Sequence, residues 1–184
     1  MKLKRSFYAR PCLEVARDLI GKHLIHRRGD RLLGGRIVEV EAYVHEEDQA
    51  CHARFGPTPR ALTLYGEPGH AYVFLIYGMY DCFNVVTEPK GSPAAVLIRA
   101  LEPQEDVAKL GKTDGPGKLC RTLGISRTHN GLDLTADLIW IESRRDKSPK
   151  VVTTPRIGVD YAGRWARKPW RFLDPNSPYV SRRK

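Results

Sequence analysis

Two acids, Glu39 and Glu41, stand two residues apart in "RIVEVEAY", Arg36 to Tyr43, within a chain that is otherwise strongly basic. The apolar period there is close to two, so Val38, Val40 and Ala42 share one face of a strand and Glu39, Glu41 and Tyr43 the other. A carboxylate fixed on a strand can orient a water molecule and accept its proton, and its charge can stabilise a cationic sugar. Glu41 is the acid placed for that chemistry. His52 lies eleven residues further on, where a turn could return it over the same site, and Tyr43 offers an aromatic face to a flat ligand. The plainer alternative is a strand with one wet face, on which Glu41 and His52 are solvated and Tyr43 closes a core edge.

A second constellation is "YVFLIYGMYDCFN", Tyr72 to Asn84. Tyr77 followed by Gly78 puts an aromatic ring at the tip of a tight bend, where it could insert between base pairs and fill the space of a flipped nucleotide. Phe74 and Tyr80 are available for packing, Met79 as a neighbour of the wedge, and Asn84 to read a base edge or hold an acid. Aromatics in strands more often belong to a core. "DGPGKLC" has the spacing of neither phosphate-loop nor dinucleotide-loop motifs. Its backbone and Lys118 could hold one phosphate, or simply form the turn into a helix. Cys51, His52, Cys82 and Cys120 lack the spacing of a zinc deaminase, so no metal and no cofactor is expected.

These side chains need elements to position them. "RPCLEVARDLIG" reads as a short helix with Pro11 in its first turn, a face through Leu13, Ala16 or Arg17, and Leu19 or Ile20, and Gly21 as its stop. "KHLIH" and "LLGGRIVEVEAY" read as strands joined at "RRGD", with Gly34-Gly35 marking a bulge or a close backbone approach. "HEEDQACHARFGPTPR" reads as a short helical piece and a rigid loop. "HAYVFLIYGMYDCFNVV" reads as strand broken at Gly78, and "AAVLIRALEP" as a further strand. "DGPGKLCRTLGI" enters a helix, "LIWIES" and "PRIGV" suit strands, and Arg144–Lys150 suits a loop. The stretch "WARKPWRFLDPNSPYVSRRK" has too many turn formers to assign. The sum is an α+β fold: a single compact domain over residues 1–184, with a curved, mostly antiparallel sheet and flanking short helices. Residues 1–10 and 181–184 are expected as flexible basic ends.

The chain has 184 residues, 41% of them hydrophobic, which suits one domain with a real core. No apolar run reaches membrane-spanning length and no secretion signal follows the start, so a cytoplasmic protein with no membrane partner is expected. The four scattered cysteines read as buried thiols in a reducing compartment. The net charge of +10 is uneven. Residues 1–36 carry 10 Lys/Arg against 3 acids and residues 144–184 carry 12 against 3, whereas residues 37–143 carry 9 against 15. Basic ends around an acidic centre fit a polyanion gripped about a chemically distinct middle, or else plain solubility.

Taken together, "RIVEVEAY", "DQACHAR", "TPR", "YVFLIYGMYDCFNVV", "VLIRALEP", "GPGKLC" and "WARKPWRF" closely resemble the alkyladenine (3-methyladenine) DNA glycosylase family of base-excision repair, in its bacterial type. The resemblance runs in order from about Leu13 to Val180. It implies that Glu41 is the general base activating water for attack at C1′ of a flipped nucleotide, with Arg99 close to it. Tyr43, His52, Phe74 and Asn84 would form the base pocket, and Asn84 would reject normal guanine. Tyr77 would intercalate with Met79 bracing the minor groove. Candidate phosphate contacts are Arg54, Arg60, Lys118, Arg167 and Lys168. Phe74 stands where vertebrate members carry tyrosine, so a pocket hydroxyl is absent. The loop "HARFGPTPR" is one residue shorter than theirs, and their long N-terminal extension has no counterpart.

The implied activity is a monofunctional glycosylase that hydrolyses the N-glycosidic bond of 3-methyladenine, 7-methylguanine, hypoxanthine or ethenoadenine in double-stranded DNA, working as a monomer. No lysine lies between His52 and Pro89 to form a Schiff base. Two other classes stay open: a non-catalytic nucleic-acid-binding module, and an RNA-directed enzyme of related fold.

Overall fold

The computed structural model describes residues 1–145 and 149–181. Its longest alternating stretch becomes its longest strand. β2 spans Arg31–Val44 and pairs antiparallel with β1 (His23–Arg28) across the two-residue turn Gly29-Asp30, with Gly29 at φ 59°. On its other edge β2 pairs with β5 (Ala94–Pro103). The Gly34-Gly35 pair marks a close approach. A Cβ on Gly34 would run into the Leu24 carbonyl oxygen on one side, and a Cβ on Gly35 into that of Glu102 on the other.

The described residues form one sheet in the order β3 (Ala71–Ile76), β4 (Tyr80–Val86), β5, β2, β1 and β6 (Ile139–Glu142). β8 (Arg171–Leu173) pairs with β2 along Glu39–Glu41, and β7 (Val152–Thr154) pairs with β8. Every pairing is antiparallel, and short helices flank the sheet. In the β2–β5 ladder Ile37 faces Leu101, Glu39 faces Ala100 and Val40 faces Ile98, which leaves Val38 and Arg99 as bulged residues. Bulges sharpen twist and re-aim side chains. Here they curl the sheet at the two acids.

The core lies between the sheet and two helices. α2 (Cys12–Leu19) buries Cys12, Val15, Ala16 and Leu19, the i, i+3, i+4, i+7 stripe. That face includes the expected Ala16 and Leu19 but not Leu13, which is 36% exposed, and Pro11 is the residue before the helix. The thiol of Cys12 is small and apolar enough to pack inward in its place. α4 (Pro116–Leu123) starts on a proline, buries Leu119, Cys120 and Leu123, and ends at Gly124 in the left-handed region with φ 69°.

One further expectation changes. "PRIGV" is a loop, because the strand β7 stops before Pro155 and Arg156 turns inward to bury its guanidinium. Residues 1–10 make contacts with the rest of the domain. The Leu3 N–H donates to the Ile141 carbonyl, α1 (Arg5–Tyr8) buries Tyr8, and Arg5 pairs with Asp133 at 2.6 Å. Of the expected Arg144–Lys150 loop, residues 146–148 lie outside the described residues, as do 182–184 of the other basic end. No described helix is long and apolar enough to cross a membrane.

Candidate active site

Glu39 and Glu41 are both 0% exposed, so their strand face is not wet. β5 closes one edge of β2 and β8 the other, and the acids are compensated inside. Glu41 Oε2 accepts a hydrogen bond from the Tyr43 hydroxyl at 2.7 Å and a longer one from Arg99 at 3.3 Å. Its Oε1 accepts the backbone N–H of Ile157 at 2.7 Å. Glu39 Oε1 accepts from Arg99 Nε at 3.0 Å and Arg171 Nε at 2.7 Å. Arg99 reaches both acids because it sits at the bulge in β5. A carboxylate has roughly four acceptor positions. Glu41 uses three, and the spare one is on Oε1.

Tyr43 is fixed from behind. The Arg156 guanidinium lies 4.7 Å from the Tyr43 ring and 5.1 Å from that of Trp170. It is locked there by two bonds to Asp48, at 2.6 and 2.8 Å, in a pair whose side chains are both 0% exposed. Burial, with the Glu41 charge beside it, holds the Tyr43 phenol well above its ordinary range, so the hydroxyl stays a donor.

The same aspartate folds His52 back over the strand. After β2 the chain turns at His45, φ 60°, and Asp48 accepts the N–H groups of Val44 and Ala50. A 3-10 turn, His52–Phe55, follows at once. His52 Nδ1 lies 2.8 Å from the Tyr72 hydroxyl, and its ring meets Phe74 edge-on at 4.5 Å. Burial, with the Arg60 and Arg54 charges, pushes His52 down to about 4. Tyr72 is raised by burial to about 12, with the Arg60 charge acting against the rise. The phenol therefore donates to Nδ1 of a neutral imidazole, leaving Nε2–H as a donor.

That shift has a consequence for stability. Between pH 6.5 and about 4 the unfolded chain takes up a proton at His52 that the native chain does not. Stability falls through that window as pH falls, by up to about 1.4 kcal/mol per pH unit, and the contribution vanishes above it. His52→Gln is expected to flatten this part of the curve in urea titrations. An unchanged slope would assign the acid sensitivity elsewhere.

These walls enclose a cavity of about 520 Å³. Tyr43, His52, Phe74, Asn84 and Arg99 line it, with Tyr72, Leu97 and the Ile157–Val159 loop. Asn84 is held by its own hairpin, its amide donating to the carbonyls of Tyr72 and Cys82 at 2.9 and 3.3 Å. Glu41 itself is not on the surface of the cavity; it stands behind Tyr43, Arg99 and Ile157, each of which is both a liner and its hydrogen-bond partner. Among the described residues no carboxylate lines the cavity, and no group of three or more His, Cys, Asp or Glu could hold a metal ion.

At the rim the β3–β4 hairpin turns through Tyr77 at φ 52° and Gly78 at φ 69°. Two successive left-handed residues are what a tight hairpin turn demands, but tyrosine adopts that conformation at a cost of roughly 1–2 kcal/mol. The strained ring is 77% exposed and Met79 beside it 65%, a position that core packing does not explain.

The basic candidates are dispersed. Lys118 lines the cavity and pairs with Asp114 at 3.1 Å. Arg60 lies over the Phe74 ring at 5.1 Å and donates to the Leu75 carbonyl. Arg54 lies between the exposed rings of Phe55 and Tyr161, in a neighbouring open trough. Arg167 ends the 3-10 segment Asp160–Arg167, and Lys168 follows it over Trp165 and Trp170. Sequence reasoning assigned nothing to Asp48, Tyr72, Arg156 or Arg171. Only the last two carry a signal, as lone arginines within the apolar-flanked stretches "PRIGV" and "WRFL".

A family model described as methylpurine-DNA glycosylase matches residues 6–178. Three similar proteins each carry the name "Putative 3-methyladenine DNA glycosylase". That of Anaeromyxobacter dehalogenans (strain 2CP-1) is 54% identical over 183 residues, covering 99% of this chain and 86% of the relative. That of Methanocella arvoryzae is 50% identical over 192 residues, covering 98% and 96%. That of Bacillus cereus (strain AH187) is 43% identical over 205 residues, covering both chains in full.

Proposed function

The chain belongs to the methylpurine-DNA glycosylase family, and from that premise we propose that it is a monofunctional enzyme releasing alkylated or deaminated purines from duplex DNA. The substrates would be 3-methyladenine, 7-methylguanine, hypoxanthine and ethenoadenine. The observation that carries this reading is a fully buried carboxylate, Glu41, set directly behind the wall of an aromatic cavity of small-molecule size. A flipped purine would lie between Tyr43 and the His52–Phe74 side, its sugar toward Arg99. Water entering beside Ile157 would take the spare position on Glu41 Oε1. As the glycosidic bond breaks, positive charge grows on the sugar, and the carboxylate both stabilises it and accepts the water's proton.

Lys118 is the lysine on the cavity wall among the described residues, and its ammonium is bonded to Asp114. The reading gives it a phosphate and not C1′, so the product is an intact abasic strand. Lys118, Arg54, Arg60, Arg167 and Lys168 would neutralise phosphates, giving affinity that falls with salt and does not read sequence. A monomer is sufficient for such a site, since every group invoked comes from one chain.

Tyr77 would fill the gap left by the flipped nucleotide. Tyr77→Ala is expected to weaken binding to lesion-containing duplex about 10- to 100-fold, the scale of 1–3 kcal/mol per aromatic–base stack, and to leave binding to undamaged duplex nearly unchanged. Gel shifts at fixed salt separate the two. Equal losses on both duplexes would reject the wedge.

A further inference from the structure

Taking Glu41 as the base, the inference rests on the reading above. We propose that Glu39 and Arg171 form a charge-balancing pair that positions Arg99 for Glu41. Neither residue lines the cavity, so neither touches the substrate; Glu39 anchors Arg99 and holds Arg171 off Glu41.

The geometry assigns the role. Glu39 is fully buried and accepts four hydrogen bonds: from Arg99 Nε, from Arg171 Nε, and from the backbone N–H and hydroxyl of Ser181 at 2.6 and 2.9 Å. Arg99 bridges the two acids, through Nε to Glu39 at 3.0 Å and through Nη1 to Glu41 at 3.3 Å. Arg171 stands opposite Glu41 in the β2–β8 register yet sends its Nε to Glu39. The four side chains carry two negative and two positive charges in a site with little water, where an uncompensated charge is costly. The nearby Asp48–Arg156 pair is internally compensated.

Consider removing each partner. Without the Glu39 charge, Arg99 and Arg171 leave an excess positive charge and Glu41 is the remaining anion of the group. Arg171, which already stands opposite Glu41 in the β2–β8 register, then turns onto Glu41, taking the position on Oε1 that a water would use and weakening the carboxylate as a proton acceptor. Without the Arg171 charge, Glu39 relies on Arg99 alone and draws it further from Glu41. Losing both charges restores neutrality, removes the arginine that would turn onto Glu41, and leaves Arg99 where it is, between Glu41 and a neutral amide. The two single changes should therefore each do harm that the double change repairs.

The test is a double-mutant cycle in the full chain, with Glu39→Gln, Arg171→Met and the combination. Single-turnover base release at saturating enzyme and affinity for a lesion-containing duplex are both read. Each single variant is expected to release base about 10- to 100-fold more slowly, the range a misplaced catalytic group costs. Affinity should stay within about threefold of the native chain. The double variant is expected to return to within about threefold of native release. Single variants that fail to fold beside a double variant that folds and releases base give the same support. Losses that add in the double variant overturn the proposal, as does a double variant that stays slow or unfolded, or affinity that falls in step with rate. A native chain that releases no base would instead contradict the glycosylase reading itself.

Discussion

Glu41→Gln is expected to bind lesion-containing duplex as well as the native chain does and to release base at least about 100-fold more slowly, the lower end of what a general base supplies. The amide keeps the size of the carboxylate, and its oxygen can still accept from Tyr43 and Arg99; its NH2 then faces the Ile157 N–H, so that one bond is lost while the Tyr43 and Arg99 walls of the cavity keep their place. What is lost is the proton acceptor and the negative charge behind the cavity wall. Glu41 is separated from the ligand space by its own hydrogen-bond partners. Its loss should therefore fall on the rate and spare affinity. Native release rates in the variant would remove Glu41 from the mechanism. A large fall in lesion affinity would show instead that the carboxylate holds the pocket together.

The second large effect concerns stability. Asp48→Ala is expected to lower unfolding free energy by about 3–5 kcal/mol, the range for stranding a buried charge. Asp48 and Arg156 are fully buried, and the guanidinium cannot neutralise itself by losing its proton. The Ala42 and Trp165 carbonyls, at 2.9 and 3.1 Å, would remain as its acceptors and soften the loss without supplying a counter-charge. The Val44 and Ala50 N–H groups lose their acceptor as well, which loosens the turn delivering His52. Chemical denaturation at neutral pH measures the change. A loss below about 1 kcal/mol would mean the pair is no more than an exposed ion pair in effect.

The elements that hold the site were legible where a period or a turn signal was strong. "RIVEVEAY", "AAVLIRALEP" and "GPGKLCRTL" became β2, β5 and α4 near their expected limits, and Gly78 did mark the hairpin tip. On α2 the buried Ala16 and Leu19 were legible, but the pattern put Leu13 inward in place of Cys12, because a cysteine carries no clear apolar signal and a leucine does. The burial of Glu39 and Glu41 was out of reach for a local reason: alternation tells which residues share a face, not what covers it. Here the cover is β8, a three-residue strand inside a segment crowded with turn formers, together with arginines 58 to 132 residues away in sequence. Asp48–Arg156 joins residues 108 apart and leaves no pattern at either end. Long-range charge pairs are decided by the folded topology. The chain's basic character announces the need for compensation without saying where it occurs.

The most direct measurement of the central claim is single-turnover base release by the native chain, in EDTA, from duplex oligonucleotides carrying hypoxanthine, ethenoadenine or 7-methylguanine. Released base should appear with the strand intact until alkali is added, and an undamaged duplex should give none. Tight lesion binding with no base released from any of them would contradict the account and make the protein a nucleic-acid-binding module. Strand scission before alkali would contradict its monofunctional chemistry and turn attention to Lys118.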